Sequence, residues 1–136
     1  MNPHGVAWSL LAMRVNPLQF AIVVVTLLQC GLLSGSNDAS ANSSRIEQGR
    51  RLAHDFDKGN CLACHAAPTD PEAITKANIA PPLIAMRERF ADRDALRNQI
   101  WDAAKRNPDT IMPPFGRHLI LSEDEIQLII DYLYTL

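Results

Sequence analysis

Three residues within five positions have the types and spacing for covalent cofactor chemistry: Cys61, Cys64 and His65, in the order Cys-x-x-Cys-His. Two thiols at this spacing can each add across one vinyl group of a haem, and the adjacent imidazole can bind the iron. Gly59, two positions earlier, suits a close approach of the backbone. The pattern therefore predicts the attachment of one c-type haem.

On the motif alone, other interpretations of the two cysteines stay open. They could supply half of a zinc site that is completed by two of the histidines His54, His65 and His118. They could also be a thioredoxin-like redox pair, although no alternation of strands and helices surrounds them. The spacing could finally be a chance occurrence.

Met112 is the predicted second ligand of the iron, opposite His65. It is followed by Pro113 and Pro114, and two prolines in series stiffen an extended segment that would hold the sulfur at a fixed height. Two protein ligands favour electron transfer over binding of gases or peroxide. The reserve candidate is His118, whereas Met86 is expected to be a core residue and His54 a surface or core histidine.

Chain length, net charge and cysteine count limit the number of domains and the possible classes of function. The chain has 136 residues, which is enough for one domain, and its net charge is −2. Without an excess of basic residues, the composition gives no indication of nucleic-acid binding. One of the three cysteines, Cys30, lies outside the Cys-x-x-Cys-His motif.

Residues 1–41 are predicted to be an export signal. The run from Leu18 to Leu33 is largely apolar, and Ala39-Ser40-Ala41 fits a small-residue cleavage site. Residues 42–136 would then form a periplasmic domain in an oxidising compartment, and Cys30 would leave with the signal. The apolar run is short for a membrane span, although its retention as an uncleaved anchor stays open.

Apolar residues at helical spacing predict an all-α chain. The predicted helices run from Ser44 to His54, from Leu83 to Phe90, from Asp92 to the Asn107-Pro108 pair, and onward from Ser122. Gly49 lies on the predicted buried face of the first helix, where it would let another helix pack closely. No stretch alternates like a strand.

The order of these features resembles the class I cytochrome c family over residues 42–136. The resemblance implies a fold of several short helices around one covalently attached haem. In that family the N- and C-terminal helices cross at a glycine–aromatic contact, which Gly49 and Tyr132 match. A proline carbonyl also accepts the ring N–H of the proximal histidine, which Pro81 matches, and Ala80 stands where the family has glycine.

A narrower resemblance is to the SoxX family, the monohaem cytochrome subunits of the SoxAX complexes of bacterial sulfur oxidation. The matching stretches are Gly59 to His65, Ile100 to Ala103, Asn107 to Thr110, and Met112 to His118. The last stretch is the most specific, because Cys-x-x-Cys-His alone does not separate cytochrome families.

The SoxX resemblance implies the role of an electron-accepting subunit. SoxAX joins thiosulfate to a cysteine of the carrier SoxYZ, as an L-cysteine S-thiosulfotransferase, and SoxA holds the sulfur-handling site. The implied partners are thus a dihaem or monohaem SoxA-like subunit, SoxYZ, and a small soluble cytochrome c as electron acceptor, with no catalytic residue in this chain. The alternative is an independent periplasmic electron carrier, or the haem subunit of another oxidoreductase.

Trp101 is the last candidate for contact with the haem. We expect its ring to face the haem edge and its indole N–H to reach a propionate. Ordinary core packing is the alternative, because a buried tryptophan usually finds some polar partner.

Overall fold

The structure is a computed structural model that describes residues 35–136, with side chains from Asp38 onward. The apolar run Leu18–Leu33 and Cys30 of the predicted export signal lie outside these residues. Within them, no helix combines the length and the apolar character needed to cross a membrane.

In this part of the chain the architecture is helical. The α-helices are α1 (Gly35–His54), α2 (Met86–Arg89), α3 (Arg93–Trp101) and α4 (Glu123–Leu133). Two short 3-10 segments, Cys61–Ala63 and Ala103–Lys105, lie between them. Between residues 35 and 136, β-pairing is limited to one isolated parallel bridge that joins His65 to Ala80. The predicted all-α class is confirmed.

Local capping signals predicted two helix starts correctly. Ser122 accepts a hydrogen bond from the backbone N–H of Glu125, whose side chain accepts one from the N–H of Ser122, so a full capping box opens α4. Asp92 caps α3 in a similar way, because its side chain accepts from the N–H of Asp94.

Three predicted helix boundaries were wrong. α1 does not begin at Ser44 but continues back to Gly35, and the Ser44 hydroxyl accepts a hydrogen bond from Gln48 Nε2 within the helix instead of capping it. α2 is one turn long and begins at Met86 instead of Leu83, after Ala85 has adopted a left-handed conformation. α3 ends at Trp101, well before Asn107, because the backbone of Asp102 leaves the helical region.

α1 crosses α4 at Gly49, where the backbones touch. A Cβ placed on Gly49 would lie 1.9 Å from the carbonyl oxygen of Leu128 and 3.0 Å from Cβ of Tyr132. No side chain fits in that space, so glycine is required by the crossing. The predicted contact between Gly49 and Tyr132 is confirmed.

α4 supplies five of the fifteen buried apolar residues in the described part of the chain, more than any other element. Its inward face packs against α3 and α1. The buried residues of that face are Ile126, Ile129, Ile130, Tyr132 and Leu133. They meet Leu96 and Ile100 of α3, which lie one helical turn apart and are also buried. Helices α1, α3 and α4 therefore pack together around the core of residues 35–136.

A buried polar cluster fastens the loop after the Cys-x-x-Cys-His motif to the crossing of α1 and α4. Asp70, only 4% exposed, accepts hydrogen bonds from the Tyr132 hydroxyl at 2.5 Å and from His54 Nε2 at 3.1 Å. Arg50 Nε lies 3.9 Å from the same carboxylate. Burial acts to raise the pKa of Asp70, but these hydrogen bonds and the backbone N–H of Glu72 outweigh it and hold the pKa below its usual range.

Candidate haem-binding site

The Cys-x-x-Cys-His motif folds into one tight turn. Cys61–Ala63 form a 3-10 segment, and the N–H groups of Cys64 and His65 both donate to the carbonyl of Cys61, at 3.2 and 2.9 Å. In a 3-10 turn the side chains at positions i and i+3 eclipse each other. The turn therefore brings the two thiols to one side, and neither is in a disulfide.

Gly59 allows this turn to lie directly against the end of α1. Its N–H donates to the carbonyl of Leu52 at 3.0 Å. A Cβ at Gly59 would stand 2.7 Å from that carbonyl oxygen and 3.2 Å from the Cys61 sulfur. The close approach expected of Gly59 is thus to α1 and to the sulfur. In this setting burial raises the pKa of the Cys61 thiol to about 12, so the free thiol stays protonated at neutral pH.

His65 is oriented by a backbone carbonyl. Its Nδ1 lies 2.6 Å from the oxygen of Pro81. A carbonyl oxygen can only accept, so Nδ1 carries the hydrogen and donates it, which leaves the lone pair of Nε2 free for a metal. This is the arrangement that typically fixes the ring of a metal-binding histidine.

The proline segment that accepts this hydrogen bond is itself held in place. Ala80 pairs with His65 in the parallel bridge, and its N–H donates to the carbonyl of Cys64 at 3.0 Å. Ala80 is not among the residues with positive φ, so alanine suits this extended position where the family has glycine. Arg89 donates to the carbonyl of Pro82 at 2.7 Å from α2, which supports the segment from its other side.

Met112 lies in an extended loop and is half-buried against the core. Its N–H donates to the hydroxyl of Thr110 at 3.2 Å. Its sulfur is 3.8 Å from Nε2 of Gln99, which reaches it from α3. The sulfur is thus presented by the loop and oriented by an amide donor.

A cavity lies along α3 and has Gln99 in its lining, whereas neither Met112 nor the Cys-x-x-Cys-His motif lines it. Its volume is about 710 Å³, and one side of α3 lines it with Ala95, Asn98, Gln99 and Asp102. Two free thiols on one turn, an imidazole with Nε2 available and a half-buried thioether are the donors that a haem c requires, so the residues fit the group. When bound, the haem iron would supply a one-electron redox couple.

The structure separates the competing ligand candidates. Met86 is buried in α2 with 3% of its surface exposed, as a packing residue would be. His54 is engaged by Asp70. His118 is exposed, on the turn that follows the loop of Met112 (residues 108–115, called the methionine loop). Between residues 35 and 136, no three His, Cys, Asp or Glu side chains come together as a metal-binding group, so the zinc interpretation finds no ligand set there.

Trp101 packs between two neighbours at the end of α3. The Arg97 guanidinium lies 4.2 Å from the ring centroid, and a Cβ on Gly116 would stand 2.1 Å from the ring. Trp101 also lines the cavity. Its predicted contact with a propionate stays a prediction.

Comparison with known proteins adds the family. The model of the cytochrome c family matches residues 46–136. The chain belongs to the cytochrome c family. Membership means a covalently bound haem c and a role as an electron carrier, which are the chemistry that the Cys61–His65 motif predicts.

One protein similar in sequence to this cytochrome is an uncharacterized lipoprotein of Aquifex aeolicus (strain VF5). The two sequences are 35% identical over 77 residues, which cover 57% of this cytochrome and 36% of the relative. The chain thus spans about a third of the length of the curated relative that it matches.

The sequence did not indicate the residues whose hydrogen bonds hold the Met112 sulfur, the proline segment and the motif turn in place. Gln99 at the Met112 sulfur and Arg89 at the proline segment carry no local signal, because each is one polar residue among several on a short helix. Thr75, which donates to the carbonyl of Leu62 inside the motif turn at 2.8 Å, is equally inconspicuous.

Proposed function

We propose that this cytochrome is a SoxX-like electron-accepting subunit of a heteromeric L-cysteine S-thiosulfotransferase. The observation that carries the proposal is the stretch from Met112 to His118, Met-Pro-Pro-Phe-Gly-Arg-His, together with the Asn107 to Thr110 stretch before it. These residues form the loop that presents the Met112 sulfur. Their resemblance to SoxX is more specific than the haem motif.

In this role the chain takes up electrons and leaves sulfur chemistry to a partner. Joining thiosulfate to a carrier cysteine forms a sulfur–sulfur bond and releases two electrons, which haem groups must accept one at a time. Between residues 35 and 136 the only thiols are Cys61 and Cys64, and both are committed to the haem motif. This supports the proposed division of labour with a SoxA-like haem subunit and the SoxYZ carrier.

His65 and Met112 would set the redox properties for that task. A neutral thioether favours ferrous iron more than a second histidine would, so the pair gives a comparatively high reduction potential. Gln99 adds to this effect, because a hydrogen bond to the sulfur weakens its donation to ferric iron. The haem would thus be able to draw electrons from a partner and release them to a small soluble cytochrome c.

The proposed location is the periplasm, after removal of residues 1–41. The predicted signal supports this placement, and the name of the Aquifex relative, a lipoprotein, fits a position outside the cytoplasm. N-terminal sequencing of the mature protein tests the cleavage after Ala41. A start other than Asn42 would correct the domain boundary.

The experiment that tests the function is co-purification followed by a reduction assay. A C-terminally tagged chain from thiosulfate-grown cells should bring down a larger haem protein in a fixed ratio. Adding thiosulfate and the carrier to that complex should reduce the haem of this chain, and thiosulfate without carrier should not. A tagged chain that elutes alone and exchanges electrons with several enzymes would instead support an independent electron carrier.

A further inference from the structure

Both ends of the methionine loop are fastened to the same three residues at the end of α3. On the entry side, the N–H of Asn107 donates to the carbonyl of Ala103 at 3.0 Å. On the exit side, the N–H groups of Gly116 and Arg117 both donate to the carbonyl of Trp101, each at 3.2 Å. Residues 101–103 are therefore the common base of residues 108–115, and we call them the helix-end platform.

Side chains reinforce the exit side of the loop. Arg117 Nε lies 3.0 Å from a carboxylate oxygen of Asp102. Asp102 is 5% exposed, and its other oxygen is buried without a hydrogen-bond partner among residues 35–136. The Arg117 side chain is thus the main compensation for a buried negative charge, which makes the contact costly to break.

Trp101 and Gly116 are in tight contact. A Cβ on Gly116 would lie 2.1 Å from the indole ring, and the Arg97 guanidinium lies 4.2 Å from the ring centroid. The ring is thus in contact both with Gly116 and with Arg97, which is itself paired with Glu123 of α4. Through these contacts the loop is attached to helices α3 and α4.

We propose that the helix-end platform, residues 101–103, is the positioning element that keeps the Met112 sulfur on the haem iron. Gln99 reaches the sulfur from the preceding turn of the same helix, so loop ends and ligand share one rigid support. Loosening the exit side frees the loop to swing outward and increases the fraction of molecules with an open iron site. This positioning role involves only the loop and residues 101–103, so it does not depend on which redox partner the protein has.

Imidazole binding to the purified ferric holoprotein measures that open fraction. The apparent affinity of an external ligand rises in proportion to the population that can bind it. We expect Arg117→Gln to tighten imidazole binding by about tenfold or more, and to weaken the far-red sulfur-to-iron absorption band on mild warming. Gly116→Ala should act in the same direction, and replacing Trp101 by leucine in that variant should restore tighter Met112 binding by making room for the methyl group.

Arg45→Gln is the matched control. Arg45 is half-exposed, as Arg117 is, and pairs with Asp131 at 2.6 Å where α1 meets α4, away from the loop. It should lower the melting temperature without changing imidazole affinity. Equal imidazole affinities in Arg117→Gln and wild type, or an equal change in Arg45→Gln, would overturn the proposal. So would a wild-type protein that lacks the far-red band. If Arg117→Gln does not fold, Asp102→Asn, which removes the ion pair together with the buried charge, provides the same test.

Discussion

Tyr132→Phe tests the buried cluster that anchors the haem-motif loop. The substitution removes only the hydroxyl that donates to Asp70 at 2.5 Å, in a side chain with no exposed surface. A hydrogen bond to a charged group contributes about 1.5–3 kcal/mol, and its loss leaves a buried carboxylate undersatisfied. We expect the free energy of unfolding to fall by about 2 kcal/mol, which is roughly 8–16 °C in melting temperature for a domain of this size.

Tyr134→Phe is the control within the same helix end. The Tyr134 hydroxyl donates to the neutral carbonyl of Phe90 at 2.8 Å and is partly buried. Its loss should cost about 1 kcal/mol, because the acceptor carries no charge. Urea unfolding of both ferric holoproteins, followed by circular dichroism of the helices, gives the two values under identical conditions.

The pH dependence separates the two variants further. The folded-state pKa of Asp70 lies below its ordinary value of about 3.9, so this group contributes stability above that value and loses it as the pH falls through the folded pKa. The penalty of Tyr132→Phe should therefore shrink between pH 7 and pH 3, and that of Tyr134→Phe should not. A Tyr132→Phe penalty no larger than that of Tyr134→Phe, or one that is constant over this range, would refute the reasoning.

Three further predictions concern the helix crossing and the methionine. Gly49→Ala should destabilise the holoprotein by about 3 kcal/mol or more in urea unfolding, because the methyl group overlaps the Leu128 carbonyl; wild-type stability would contradict the crossing. Met112→Ala should lose the far-red band and fall in reduction potential, and His118→Ala should keep both; the reverse pattern would identify the wrong ligand. Gln99→Leu should keep the band but lower the potential in redox titration, and an unchanged potential would exclude the sulfur hydrogen bond.

The parts of the fold that local chemistry decides could be predicted from the sequence. Ser122 and Glu125 form a capping box from residues three positions apart, so the start of α4 needs no tertiary information. The pair Ser44 and Glu47 has the same spacing, yet α1 runs through it. The Ser44 hydroxyl accepts from Gln48 Nε2 inside the helix, so the spacing of serine and glutamate alone does not mark a helix start.

The parts that depend on distant contacts could not be predicted. Asp70 and Tyr132 are 62 positions apart, and nothing near Asp70 shows that its carboxylate is buried. The end of α3 at Trp101 is equally hidden, since the apolar spacing continues to Ala103 and Ala104. The break at Asp102 is stabilised by Arg117 from the far side of the methionine loop. Pro81 could be connected to His65 only through the family resemblance.

The most direct test of the central claim is a haem stain of the denatured chain, combined with the ratio of haem to protein. Wild-type protein, produced with export and haem attachment intact, should keep its colour under denaturing conditions at one haem per chain. Cys61→Ala and Cys64→Ala should weaken or abolish the stained band, because each removes one covalent link. An unstained wild-type chain that binds zinc through the same cysteines would contradict the account.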